Sequence, residues 1–79
     1  MRIDKFLKNS RLIKRRTIAK DACEQERILL NDKIAKPGTE VKIGDVIQIK
    51  FGSSIINARI ISLSESSKKE DAATMYEII

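Results

Sequence analysis

Apolar residues recur along this chain with two different periods. Up to about residue 27 they fall three and four apart, as one face of a helix requires; beyond that point they crowd into short runs and alternate. Ile3, Phe6 and Leu7 define the inward stripe of a first helix that extends to about Ser10. Asp4 is placed to cap the first turn of that helix, and a sharper reading has it orienting Arg2 or Arg16 through an ion pair. Leu12 and Ile13 then open an apolar cluster leading into a second helix from about Lys14 to Gln25, with Ile18, Ala19, Ala22 and Cys23 inward.

After Arg27 the pattern is that of strands. Ile28 to Leu30 and Lys33 to Ala35 flank Asn31 and Asp32, residue types that tolerate the positive φ of a tight turn. Pro37 and Gly38 form a turn, Gly44 and Asp45 another, and Val46 to Phe51 alternates as a half-buried strand does. Gly52 and Ser53 end it, and Ile55 to Leu63 pairs back as a hairpin. Ser64 to Lys69 reads as polar and mobile. A last helical turn or two over about Lys69 to Tyr76 lays Ala72, Ala73 and Tyr76 on the sheet. The fold class expected is α+β, with two N-terminal helices packed on a small antiparallel sheet and a short C-terminal helix. At 79 residues the chain is expected to be one domain, with a core motif over 1–51 and the hairpin and short helix over 52–79.

Charge adds what periodicity cannot. The first twenty residues carry Arg2, Lys5, Lys8, Arg11, Lys14, Arg15, Arg16 and Lys20 against Asp4 alone, so the whole excess of +5 is N-terminal, and the rest of the chain is slightly acidic. Such segregation costs self-repulsion and points to a polyanionic partner. Phosphate backbones attract clustered Lys and Arg through counterion release, and the planar arginine fork can also stack on an exposed base, so Arg11, Arg15 and Arg16 point to structured RNA. A solvated basic face is the plain alternative. Of the aromatic residues Phe6, Phe51 and Tyr76, the first falls on a core stripe and the second ends a core strand, which disfavours base platforms and indiscriminate single-strand binding.

Other chemistry finds no support. The chain has no histidine and no glycine-rich phosphate loop, and its carboxylates are scattered, so no catalytic residue, cofactor or metal site is expected. Its one cysteine, Cys23, sits on an apolar stripe and reads as a buried small hydrophobe in a reducing compartment. No apolar run approaches a membrane span, and the expected setting is the cytoplasm.

The run Arg2-Ile3-Asp4-Lys5-Phe6-Leu7, then Ser10-Arg11, Lys14-Arg15-Arg16-Thr17-Ile18-Ala19, Ile28, Leu30, Asn31, Val41 and Gly44-Asp45-Val46-Ile47 resembles the RNA-binding domain family named after small-subunit ribosomal protein S-four. The resemblance covers residues 1 to about 51 and implies the alpha-L RNA-binding motif, which presents the first-helix entry and a second-helix face to folded RNA. Carried over by position, its RNA-contacting residues correspond to Arg2, Asp4, Arg11, Lys14, Arg15 and Arg16; the charge pattern adds Lys8 and Lys20. Gln25-Glu26 stands where many members close the second helix with glycine, and Asn31-Asp32 replaces the commoner Asn-Gly turn.

Through Lys68-Lys69-Glu70 and Met75-Tyr76-Glu77-Ile78 the whole chain is similar to the stand-alone bacterial RqcP-like family, relatives of the small heat-shock S-four protein. That resemblance implies a non-enzymatic, monomeric factor of ribosome-associated quality control. Its partners would be an obstructed large ribosomal subunit, ribosomal RNA, peptidyl-tRNA and an RqcH-type protein that adds C-terminal alanine tails. Heat-shock recycling of large subunits, the RNA-binding piece of a modifying enzyme and a membrane-surface adaptor are the competing classes; length speaks against the second, and the core use of Ile3, Phe6 and Leu7 against the third.

Overall fold

The computed structural model describes residues 1–65 and 72–79. Helix α1 spans Ile3–Asn9 and α2 spans Arg16–Glu24, followed by strands β1 (Ile28–Leu30), β2 (Lys33–Ile34), β3 (Val46–Phe51), β4 (Ser54–Ile60) and β5 (Tyr76–Ile78). The strands form one antiparallel sheet in the order β2-β1-β3-β4-β5. The stripe expected of α1 is the centre of the core: Ile3, Phe6 and Leu7 have no exposed surface, and each contributes about 1.5–3 kcal/mol by burial. From α2 come Ala19 and Cys23, and from the sheet Ile28, Ile47, Ile49 and Ile60.

Register explains which sheet residues meet the helices. Ile28 stands opposite Ile49, Leu30 opposite Ile47, and Ile47 opposite Ala58, so the inward row crosses three strands. Alternate residues form the other face, where Gln48 donates to Asn57 at 3.1 Å and Arg59 pairs with Glu77 at 2.8 Å. The two-residue connection between β1 and β2 has Asn31 at φ 50° and Asp32 at φ 68°, the two positive values that a type I′ hairpin demands. Asn31 also reaches the Gly44-Asp45 turn, donating from Nδ2 to Asp45 at 3.1 Å and accepting from the Val46 N–H at 2.9 Å. The Asn and Gly-Asp signals are thus two halves of one junction.

Helix α2 begins at Arg16 and not near Lys14. The cause is Ile13, whose N–H donates to the Leu7 carbonyl while its side chain enters the core; the chain must then stay extended at Arg15, at φ −119° and ψ 133°, before it can coil. Ile18, expected inward, is half exposed and borders a cleft between α2 and the end of β3.

The C-terminal segment differs most. Residues 73–75 form a turn and Tyr76–Ile78 is strand β5, where a helix to Tyr76 was expected; residues 69–71 of that helix lie outside the described residues. Strand β4 would otherwise be an edge with unpaired backbone groups, and Tyr and Ile favour an extended chain, so Ala58, Arg59 and Ile60 gain partners in Ile78, Glu77 and Tyr76. Ala72 is buried as expected, Ala73 is exposed, and Met75 adds a fully buried side chain. Of the stretch expected to be mobile, residues 66–69 are likewise outside the description. Ser64 and Glu65 return to α1, the first accepting from Asn9 Nδ2 at 3.3 Å and the second paired with Lys5.

Candidate RNA interface

Two of the N-terminal cations, Arg2 and Arg16, are organised by Asp4, whose side chain is 3% exposed. Asp4 is in the first turn of α1, two residues past the N-cap position: Arg2 is the N-cap residue, and it makes no side-chain capping bond. The Asp4 carboxylate instead accepts the Lys5 N–H at 2.8 Å, Arg2 Nη2 at 3.2 Å and Arg16 Nη2 at 3.4 Å. A buried carboxylate is costly alone, and these three donors offset that cost. The ion-pair reading of Asp4 is the one the geometry supports, with both arginines at once.

The consequence is a fixed pair of guanidinium groups, one from the entry of α1 and one from the entry of α2, each about half exposed. Each gives one Nη2 to Asp4, which leaves most of the five donors of each fork for another acceptor. Arg2 also lies against Gly38, in the turn whose Pro37 and Thr39 carbonyls accept the Asp4 and Ile3 N–H groups. One negative charge against two positive ones leaves the cluster cationic.

Arg11, Lys14 and Arg15 are exposed on the α1–α2 connection and are not stacked along a helix, since that connection is irregular. Arg11 closes α1 at φ 60°, a conformation that favours glycine, with its N–H on the Lys8 carbonyl at 3.1 Å. Lys8 is half-buried in the last turn of α1, and Lys20 is exposed one turn beyond Arg16. The solvent face of α2 also bears Asp21 and Glu24, so the cationic surface is centred on the helix entries and their connection. Sequence periodicity missed Phe51, which is 41% exposed at the end of β3 and not a core residue.

Cys23 is buried beneath this surface. Burial, with the nearby carboxylates of Asp4 and Glu24, pushes its thiol up to about 11, which makes it inert near neutral pH. Lys5 holds the Glu65 carboxyl below its usual range through their hydrogen bond.

Two helices on a small sheet, with a buried carboxylate holding an arginine from each helix entry, define a protein of the S4 domain class, and the S4 domain family matches residues 1–47. An RQC P-site tRNA stabilizing factor of Listeria monocytogenes is 57% identical over 79 residues, spanning 100% of this chain and 86% of the relative. Another from Halalkalibacterium halodurans is 54% identical over 78 residues, spanning 99% and 89%. The chain belongs to the S4 domain family, in its branch of RQC P-site tRNA stabilizing factors. Among solved structures, heat shock protein 15 of Vibrio cholerae, described as trimeric, superposes with a TM-score of 0.92 at 28% identity, covering 100% of this chain and 81% of that one.

Proposed function

We propose that this protein is a non-enzymatic RNA-binding factor of ribosome-associated quality control. It binds an obstructed large ribosomal subunit through ribosomal RNA and peptidyl-tRNA, and supports alanine tailing of the stalled chain by an RqcH-type partner. The observation that carries this reading is the Asp4-held pair Arg2 and Arg16, beside the cations of the α1–α2 connection. Fixed guanidinium groups are suited to folded RNA because the cost of ordering them has been met in the fold, and the fork recognises two phosphate oxygens at once. Lys8, Arg11, Lys14, Arg15 and Lys20 complete the surface in this proposal. The names of the relatives, which stabilise a P-site tRNA, support the placement on the subunit. The protein acts as one copy in the cytoplasm; among the described residues no helix is long and apolar enough to cross a membrane.

The test is Arg16→Ala, followed by sedimentation with large subunits and by an alanine-tailing assay. A charge-assisted contact contributes about 1.5–3 kcal/mol, so affinity should fall roughly ten- to a hundredfold while the melting temperature moves by only a few degrees. Arg16→Lys keeps the charge and loses the fork, and should rescue in part. Unchanged association of Arg16→Ala would remove Arg16 from the interface. The likeness to heat shock protein 15 favours a second reading, recycling of large subunits, which predicts binding without any requirement in tailing.

A further inference from the structure

The core leaves two large apolar side chains in one place. Ile18 is 51% exposed and Phe51 is 41% exposed, and both line a cleft of about 240 Å³ between α2 and the end of β3. Ala22 and the buried Ile13 complete its apolar lining. Pockets for drug-sized ligands begin at roughly 300 Å³, so this one suits a single planar group.

Its polar lining is specific in sign and position. Arg27 and Lys50 both reach the cleft, and they are held side by side because the Lys50 N–H donates to the Arg27 carbonyl at 2.9 Å. The place of Arg27 is fixed further by the end of α2: the Arg27 N–H donates to the Ala22 carbonyl at 3.0 Å and the Glu26 N–H to the Cys23 carbonyl at 3.0 Å, a Schellman closure with Glu26 at φ 60°. From α2 itself come Asp21, an acceptor, and Gln25, which can donate and accept. The cleft therefore combines an aromatic surface, two cations that outweigh one carboxylate, and hydrogen-bonding groups between them. A peptide helix needs a longer apolar groove and a membrane a broader apolar face, whereas a nucleotide needs these three elements together.

We infer that this cleft receives one unpaired nucleotide of the bound RNA, its base against Phe51 and Ile18, its phosphate on Arg27 and Lys50, and its base edge on Asp21 and Gln25. The inference rests on the RNA-binding reading above and extends the interface from the entry of α2 to its far end. It gives the domain a contact that can occur only where the RNA has a base free to leave its stack.

The probe is purified large ribosomal subunits carrying peptidyl-tRNA. A benzophenone-bearing amino acid placed at position 51 is irradiated in the sedimented complex, and the product is mapped by reverse transcription. The expected product is a cross-link to an unpaired nucleotide. Phe51→Ala should bind the same subunits roughly tenfold more weakly, and Phe51→Trp should bind as the parent does. If Phe51→Ala melts early, Ile18→Gln on the exposed surface of α2 replaces it, with the same loss expected. A cross-link to a ribosomal protein alone, to paired RNA or to nothing overturns the inference, as does full affinity in the variant. If the unsubstituted protein itself fails to sediment with the subunits, the RNA-binding reading falls and this one with it.

Discussion

Asp4 shows how a single carboxylate can set the geometry of cations around it. It is buried, and its partners come from the chain before it, the chain after it and a second helix. Asp4→Asn preserves shape but removes the charge. Arg2 and Arg16 are half exposed and regain water, so the expected stability loss is modest, about 1–2 kcal/mol, or several degrees in the melting temperature of a chain this size. Binding to large subunits should fall further than stability does, because two guanidinium groups lose their anchor together. Melting and sedimentation of the same preparation separate the effects; parental affinity with a lowered melt would mean the arginines need no positioning. The identity of the residues was legible before the structure, but the choice between cap and ion pair was not. It depends on Arg16 arriving from another helix, and a one-dimensional pattern does not record that approach.

Cys23 yields a second expectation at this scale. In the folded chain its thiol titrates at about 11, against an ordinary value of 9.0, so the folded state holds the proton more tightly. The corresponding stability is present at neutral pH and is lost as pH rises from about 9 towards about 11. Denaturant unfolding followed at roughly pH 8 and roughly pH 10 should show the lower midpoint at the higher value, with a weaker dependence in Cys23→Ala. An identical pH dependence in that variant would assign the effect to other groups.

Among the elements, the turns carry the clearest departure from local preference. Glu26 closes α2 and Asp32 completes the β1–β2 hairpin, and both stand at positive φ without being glycine. Glu26→Gly and Asp32→Gly should each stabilise by up to about 1 kcal/mol, since the left-handed region costs an L-residue roughly 1–2 kcal/mol and glycine returns part of that through its unfolded-state entropy. Thermal melts check this directly; a lower melting temperature would show that the side chain makes a compensating contact. Asp32 was identifiable from the sequence because turn chemistry is local, whereas Glu26 was identifiable only through the family resemblance, which places a glycine at the close of the second helix. The start of α2 and the strand β5 were not, because Ile13 answers to the core and Tyr76–Ile78 answers to the edge of β4. Ile18 and Phe51 were misplaced for a related reason: periodicity says which face a residue takes, but not whether anything lies above it.

Across the whole molecule the division of charge is the feature a sequence reports most faithfully, since it needs no geometry. Eight of the sixteen cations precede residue 21. Binding to the subunit should accordingly be steeply salt-dependent. For four to six neutralised phosphates, log K against log salt should have a slope on the order of 3 to 5 in magnitude. A titration between roughly 50 and 200 mM salt measures it, and a slope below about 1 would indicate an interface of apolar or protein contacts.

The order of strands has a consequence for how such a chain comes into being. Running β2-β1-β3-β4-β5, the sheet is built by short-range additions: β2 folds back on β1, β3 joins the other side of β1, and β4 and β5 each add beside the strand before them. A chain emerging from its own ribosome can therefore lay down both helices and four strands before β5 is free, with no early strand waiting for a distant partner. Strand β5 is an outer one, held by three residue pairs. Assembly from N-terminus to C-terminus would complete the arginine-bearing corner first and finish by sealing the edge of β4.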